Sequence, residues 1–205
     1  MNQVYRLRNS VGGNYTEFEA DGTVVFNGNA TVWDDIIKDT AAIKPGVSAP
    51  NFDVLTGAVR VYAFTNNAGA DEEVHLTFEM RHSYKEGTNV TPHMHIVPNS
   101  VVAAPKNVIK FGFEYEWQND DSTYAGSTTI YQTYTVVAGD ALKKRRIDFA
   151  AINGAGKNIS GNMIVRVFRT TNTDATDTYT DKVFLAGIGL HFEIDTVGSR
   201  QIAAK

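Results

Sequence analysis

The chain of 205 residues contains no cysteine. That absence excludes disulfide staples, thiolate metal sites and a thiol nucleophile, and it leaves the compartment open. Long apolar runs are missing as well. None approaches the roughly 20 residues of a spanning helix, so no membrane partner is expected. Basic residues cluster only at Lys143-Lys144-Arg145-Arg146 and the net charge is -4, which gives no electrostatic footprint for nucleic acid. A phosphate-cradling loop is absent, because Gly12-Gly13 and Gly154-Ala155-Gly156 lack the Lys-Ser/Thr or strand-helix context. The serines offer no Gly-x-Ser-x-Gly elbow, only fragments of one at Ala125-Gly126-Ser127 and Ile159-Ser160-Gly161. Met1-Asn2-Gln3-Val4-Tyr5-Arg6 opens without the apolar core of a secretory leader, so folding in a cytoplasm is expected.

Against these absences stands the composition of a globular protein, 42% apolar and 20% charged, long enough for one large domain with a real core. Alternation with period two dominates. Val74, Leu76, Phe78 and Met80 alternate with His75, Thr77, Glu79 and Arg81. Phe111, Phe113, Tyr115 and Trp117 alternate with Gly112, Glu114 and Glu116. Phe184, Ala186, Ile188, Leu190, Phe192 and Ile194 are read as one apolar face. Further strands are predicted over 59–65, 90–97, 127–137, 146–151 and 163–170. Turn signals at Asn66-Asn67-Ala68-Gly69, Asn119-Asp120-Asp121-Ser122 and Asn153-Gly154-Ala155-Gly156 separate them. The pattern predicts an all-β chain, an antiparallel β-sandwich of jelly-roll type, with a closed barrel as the alternative. Helix is confined to short pieces over 34–39 and 139–144.

The first 45 residues read as an N-terminal arm for attachment, and 46–205 as the sandwich domain. Within the arm, Tyr15 to Phe26 reads as strand, Asp-Gly turn, strand. A lone hairpin is marginal in water, so the arm is expected to pack on its own domain, a sister chain or a partner.

The segment Thr91-Pro92-His93-Met94-His95-Ile96-Val97-Pro98 carries the densest chemistry. In a strand, His93 and His95 share one face and could hold a metal. The opening Gly87 and the spacing to the pair match the first cupin motif, but the following Glu is missing. His191 lacks the Pro and Gly that precede the last cupin ligand. Three copies of the pair around a threefold axis would instead supply six nitrogens for a structural transition metal. The bland alternative is a wet polar strand face. Glu114 and Glu116 read as the solvated side of their strand, Asp120-Asp121 and 174–177 as ordinary turns, and the basic run as a solvated edge strand. Trp117, Tyr124, Tyr131 or Tyr134 could stack on sugar rings.

Four pieces carry a resemblance: Arg81-His82-Ser83-Tyr84-Lys85-Glu86-Gly87-Thr88, Thr91-Pro92-His93-Met94-His95, Phe113-Glu114-Tyr115-Glu116-Trp117, and Phe192-Glu193-Ile194-Asp195-Thr196-Val197-Gly198-Ser199-Arg200-Gln201. Over residues 30 to 201 the chain resembles a family of tailed-bacteriophage virion proteins. The resemblance implies a non-enzymatic virion component such as a capsid decoration, head-fibre or tail-fibre protein. It also implies a jelly-roll trimer, assembled in the host cytoplasm, with capsid or tail proteins as partners. A host-surface glycan is a further expected partner. A cupin-like metal-dependent enzyme and a carbohydrate-binding jelly roll are the competing functions.

Overall fold

Period-two patterns become strands here because each can bury one face against a second sheet. The computed structural model describes residues 5–8, 13–202 and 204–205; the leaderless reading of the first six residues falls partly outside them. β1 (Tyr5–Arg8), β2 (Tyr15–Phe18) and β3 (Val24–Asn27) form a small antiparallel sheet. After them come β4 (Val32–Lys38), β5 (Lys44–Pro45), β6 (Asn51–Thr56), β7 (Val59–Phe64), β8 (Glu73–Glu79) and β9 (Thr91–Pro98). The remaining strands are β10 (Val108–Gln118), β11 (Thr128–Thr135), β12 (Arg145–Asp148), β13 (Asn162–Arg169) and β14 (Val183–Ile194). Strand accounts for 48% of the structure and helix for 3%, so the chain is all-β.

One sheet has the order β11-β10-β13-β8-β5 and the other β12-β9-β14-β7-β6, with β4 also paired to β14. From β7 to β14 the chain crosses between sheets at every step except β10 to β11. The resulting quartets, β7-β14-β9-β12 and β8-β13-β10-β11, are the two faces of a jelly roll. Leu76, Phe78, Met80, Phe111, Phe113, Ile188, Leu190 and Phe192 are buried between them, and Tyr115 packs at the margin.

Three sequence expectations are corrected. Residues 34–39 are not helical: they lie largely in β4, whose Asp34-Asp35-Ile36-Ile37 run pairs in register with β14 from Gly189 to Phe192. Residues 139–144 form turns rather than helix. The single apolar face read along β14 is broken by a bulge between Leu185 and Gly187. A bulge inserts one residue and so reverses the facing of everything before it. Val183 and Leu185 therefore join the main core, while Phe184 packs outside it with Ala63 and Val97, and Ala186 is exposed.

The pieces that carry the virion resemblance meet in space. Tyr84 is buried and bridges to Ile194, Lys85 pairs with Glu193 at 3.0 Å, and His82 Nδ1 lies 2.5 Å from Ser199 Oγ. The chain after β14 then ties down the β2–β3 hairpin. Val25 bridges to Thr196, the Phe26 N–H donates to the Asp195 carbonyl, and Arg200 pairs with Asp21 at 2.7 Å. Of residues 1–45, then, β4 and β5 pair into the two sandwich sheets, while β1 to β3 form their own sheet.

Candidate functional site

The outer face of the larger sheet is built by alternation. Ile147 of β12, Met94 and Ile96 of β9, Ile188 and Leu190 of β14, and Ile36 of β4 point into the core. Their neighbours must point the other way. That puts Arg146 and Asp148, His93 and His95, Gly187, Gly189 and His191, and Trp33 and Asp35 on one surface. The register sets Asp148 opposite His93, His93 opposite Gly189, and His191 opposite Asp35. The histidines thus lie outside the sandwich and not in a barrel interior.

Glycine shapes this surface. A Cβ on Gly189 would stand 2.3 Å from His93 Cε1, 2.4 Å from its Nε2 and 3.0 Å from Asp35 Oδ1. Only a residue without a side chain lets the imidazole lie flat across β14. His93 is consequently 1% exposed although it faces away from the core. Its ring stacks on His191 at 4.2 Å with 20° between planes, and meets His95 edge-on at 5.1 Å.

The polar atoms in this trough are incompletely matched. Asp35 Oδ2 lies 3.4 Å from His93 Nε2 and 3.5 Å from His191 Nε2. These are ion-pair distances, yet neither is aligned as a hydrogen bond. Both ring nitrogens of His93, Nδ1 of His95 and Oδ1 of Asp35 are buried without a hydrogen-bond partner. Burial pushes the His93 imidazole down to about 4; the neighbouring His191 and His95 push the same way, and Asp35 and Asp148 oppose them. His95 is lowered too, first by burial and then by Lys144 and Arg146. At neutral pH His93 is therefore uncharged, with one N–H donor and one acceptor nitrogen, both without a hydrogen-bond partner.

Beside the trough, Trp33, Thr91, Arg146, Asp148 and His191 line a cleft of about 330 Å³. Trp33 is 60% exposed, and Arg146 pairs with Asp148 at 2.9 Å. A second cleft of about 320 Å³ on the other sheet contains Tyr115, Tyr124, Glu114, Glu116, Ser127 and Arg166. Its charges are occupied: Arg166 pairs with Glu73 and Glu114, Ser127 donates to Glu114, and Glu116 accepts from Ala125 and Gly126.

The structure sorts the sequence candidates. His93 and His95 do share a face, and Asp35 and His191 join them through pairings with no local signal. Trp117 is 4% exposed in the core and cannot stack on a ligand, and Tyr134 is tied to Asp140 at 2.7 Å. Tyr124 and Tyr131 are exposed. Trp33 was missed, although a Trp beside two aspartates on a short strand was its available signal. The axial metal requires both imidazoles at the surface of the chain, whereas His93 is enclosed by its own Asp35, Gly189 and His191.

No protein-family model matches the chain, and no curated protein does. Among solved structures it is similar to the CBM22-2 xylan-binding domain of Paenibacillus barcinonensis Xyn10C, with TM-score 0.38 and 12% identity over 80% of this chain and 99% of that one. It is similar to the arabinose-bound α-L-arabinofuranosidase MgGH51, with TM-score 0.34 and 12% identity over 90% of this chain and 25% of that one. The enzymatically active domain of bacteriophage CBA120 tailspike protein 4 gives TM-score 0.31 and 11% identity over 80% of this chain and 19% of that one. Likeness at this level assigns neither a ligand nor a residue role.

Proposed function

We propose that the protein is a non-enzymatic carbohydrate-binding β-sandwich whose ligand lies across β4, β14, β9 and β12. The observation that carries this reading is Trp33: a large, exposed indole at the mouth of a cleft whose other walls are Thr91, Arg146, Asp148 and His191. A flat apolar ring beside hydroxyl, guanidinium, carboxylate and imidazole groups suits a sugar, which has an apolar C–H face and a rim of hydroxyls. The resemblance of the motifs to phage virion proteins supplies a setting for such a face, a glycan on the host surface. The Tyr124 cleft is the weaker choice, because its charged groups already satisfy one another.

Glycan-array binding followed by titration calorimetry tests the reading. Trp33→Ala should weaken binding by about tenfold or more, the equivalent of a lost stacking contact, and Tyr124→Ala should leave it unchanged. The bound oligosaccharide should keep its chain length on long incubation. If the wild type binds no glycan, if Trp33→Ala binds like wild type, or if the oligosaccharide is shortened, the reading is wrong.

A further inference from the structure

We propose that Asp35, His93 and His191 form a mononuclear site for a divalent transition metal of the zinc class, with a remaining coordination position open toward the Trp33 cleft. The site stands on side-chain geometry and does not depend on glycan binding.

Spacing is the first argument. One donor atom from each of the three residues lies within 4.8 Å of the other two. Asp35 Oδ2 stands 3.4 Å from one imidazole nitrogen and 3.5 Å from the other. Two ligands each about 2.1 Å from a tetrahedral zinc ion are about 3.4 Å apart. The separations are thus too long for good hydrogen bonds and match the edge of a coordination tetrahedron. Engagement needs the two imidazoles to tilt off their 20° stack so that both lone pairs converge. The missing Cβ at Gly189 is what lets the ring of His93 come this close to β14 and to Asp35.

Orphaned donors and acceptors are the second argument. His93 is almost fully buried, yet neither ring nitrogen has a hydrogen-bond partner, and Asp35 Oδ1 beside it has none either. Buried polar atoms are rarely left so, because each has given up its hydrogen bonds to water and gained none in return. A cation at the centre of the three residues would engage the His93 Nε2 lone pair and neutralise the Asp35 charge.

Ligand chemistry selects the metal class. Two imidazoles and one carboxylate favour zinc and its first-row neighbours over calcium or magnesium, which prefer all-oxygen shells. Three protein ligands leave a fourth position, the arrangement that admits water or a ligand oxygen. His191 is shared between the metal set and the cleft wall, so that position faces the surface beside Trp33. His95 lies outside the converging set and acts as an edge-on support for His93.

The test uses the full chain, stripped with chelator and titrated with Zn²⁺ against a chromogenic competitor, then with Co²⁺ by visible absorption. About one equivalent per chain is expected, with the intense visible bands of tetrahedral Co²⁺. Asp35→Asn and His191→Ala, both at partly exposed positions, each remove a direct ligand and should weaken Zn²⁺ binding by at least about 100-fold, beyond the loss typical of an outer-shell partner. Trp33→Ala should stay within about threefold of wild type, which separates this result from any failure of glycan binding. Zn²⁺ should raise the melting temperature of wild type and not of Asp35→Asn. The site is refuted if the stripped chain binds no Zn²⁺, if Asp35→Asn and His191→Ala bind like wild type, or if one ion is taken up per three chains.

Discussion

Arg169 is among the largest fully buried side chains of the protein, and its charge is answered completely. Its guanidinium makes two hydrogen bonds to the Asp177 carboxylate, at 3.0 and 2.9 Å, and others to the carbonyls of Phe64, Asp181 and Tyr179. Asp177 Oδ2 also accepts from the Lys110 N–H at 2.9 Å. Both side chains are fully buried, so this segment, read from sequence as an ordinary turn, holds the chain between β13 and β14 through a desolvated ion pair. Removing one partner from such a pair leaves a buried charge uncompensated and costs about 3–5 kcal/mol. Asp177→Ala should therefore lower stability by that amount in urea unfolding. Arg81→Ala, which breaks a solvent-facing pair with Asp34 at 2.7 Å, should cost below about 1 kcal/mol. Equal losses for the two variants would show that the buried pair is not holding the segment.

At the scale of elements, β14 decides how the site forms, and it is also where sequence patterning stops being informative. β8 and β10 were legible because their apolar and polar residues alternate without interruption and one face is buried along the full length. β14 is apolar on both sides of its bulge, so its sequence does not mark where the phase reverses. β4 was misread for a related reason: Asp34-Asp35-Ile36-Ile37 shows no alternation, and only pairing with β14 assigns Ile36 to the core and Asp35 to the outer face. Half of the histidine cluster was legible from the His93/His95 spacing, and the other half depends on register between strands far apart in sequence. Gly189 gives a prediction whose sign is diagnostic. A strand glycine replaced by Ala ordinarily gains about 0.5–1 kcal/mol. At Gly189 the new methyl would overlap the His93 ring, and forced repacking of this kind costs about 1–3 kcal/mol. Gly189→Ala should destabilise the protein in denaturant unfolding; a gain in stability would mean that His93 does not rest on β14.

For the molecule as a whole, the jelly roll encloses phenols as well as hydrocarbons, and that sets its behaviour in alkali. Burial pushes the Tyr84 hydroxyl up to about 12. Tyr134 is likewise pushed up to about 12, by burial and then by its hydrogen bond to Asp140, and Tyr179 is raised by burial. A phenol in the unfolded chain ionises near 10. Because the folded value is raised, the stabilising contribution is fully present below pH 10 and is lost as pH climbs toward 12, where the unfolded chain releases protons that the folded one retains. For the wholly buried Tyr84, each pH unit inside that window removes about 1.4 kcal/mol. Tyr84 is the cleanest reporter, since it is wholly buried against Trp117 and Phe192 and locks the 81–88 loop to the end of β14. Tyr84→Phe keeps the ring and removes the ionisable group. At pH 8 the variant should be less stable than wild type, because the Thr88 carbonyl loses its donor. Between pH 10 and 12 wild type should fall faster, and the difference should shift by about 2–3 kcal/mol in favour of the variant. Urea midpoints at pH 8 and pH 11.5 measure this directly. If the gap between the two proteins is the same at both values, Tyr84 does not carry the alkaline transition, and the loop it anchors opens before the phenol ionises.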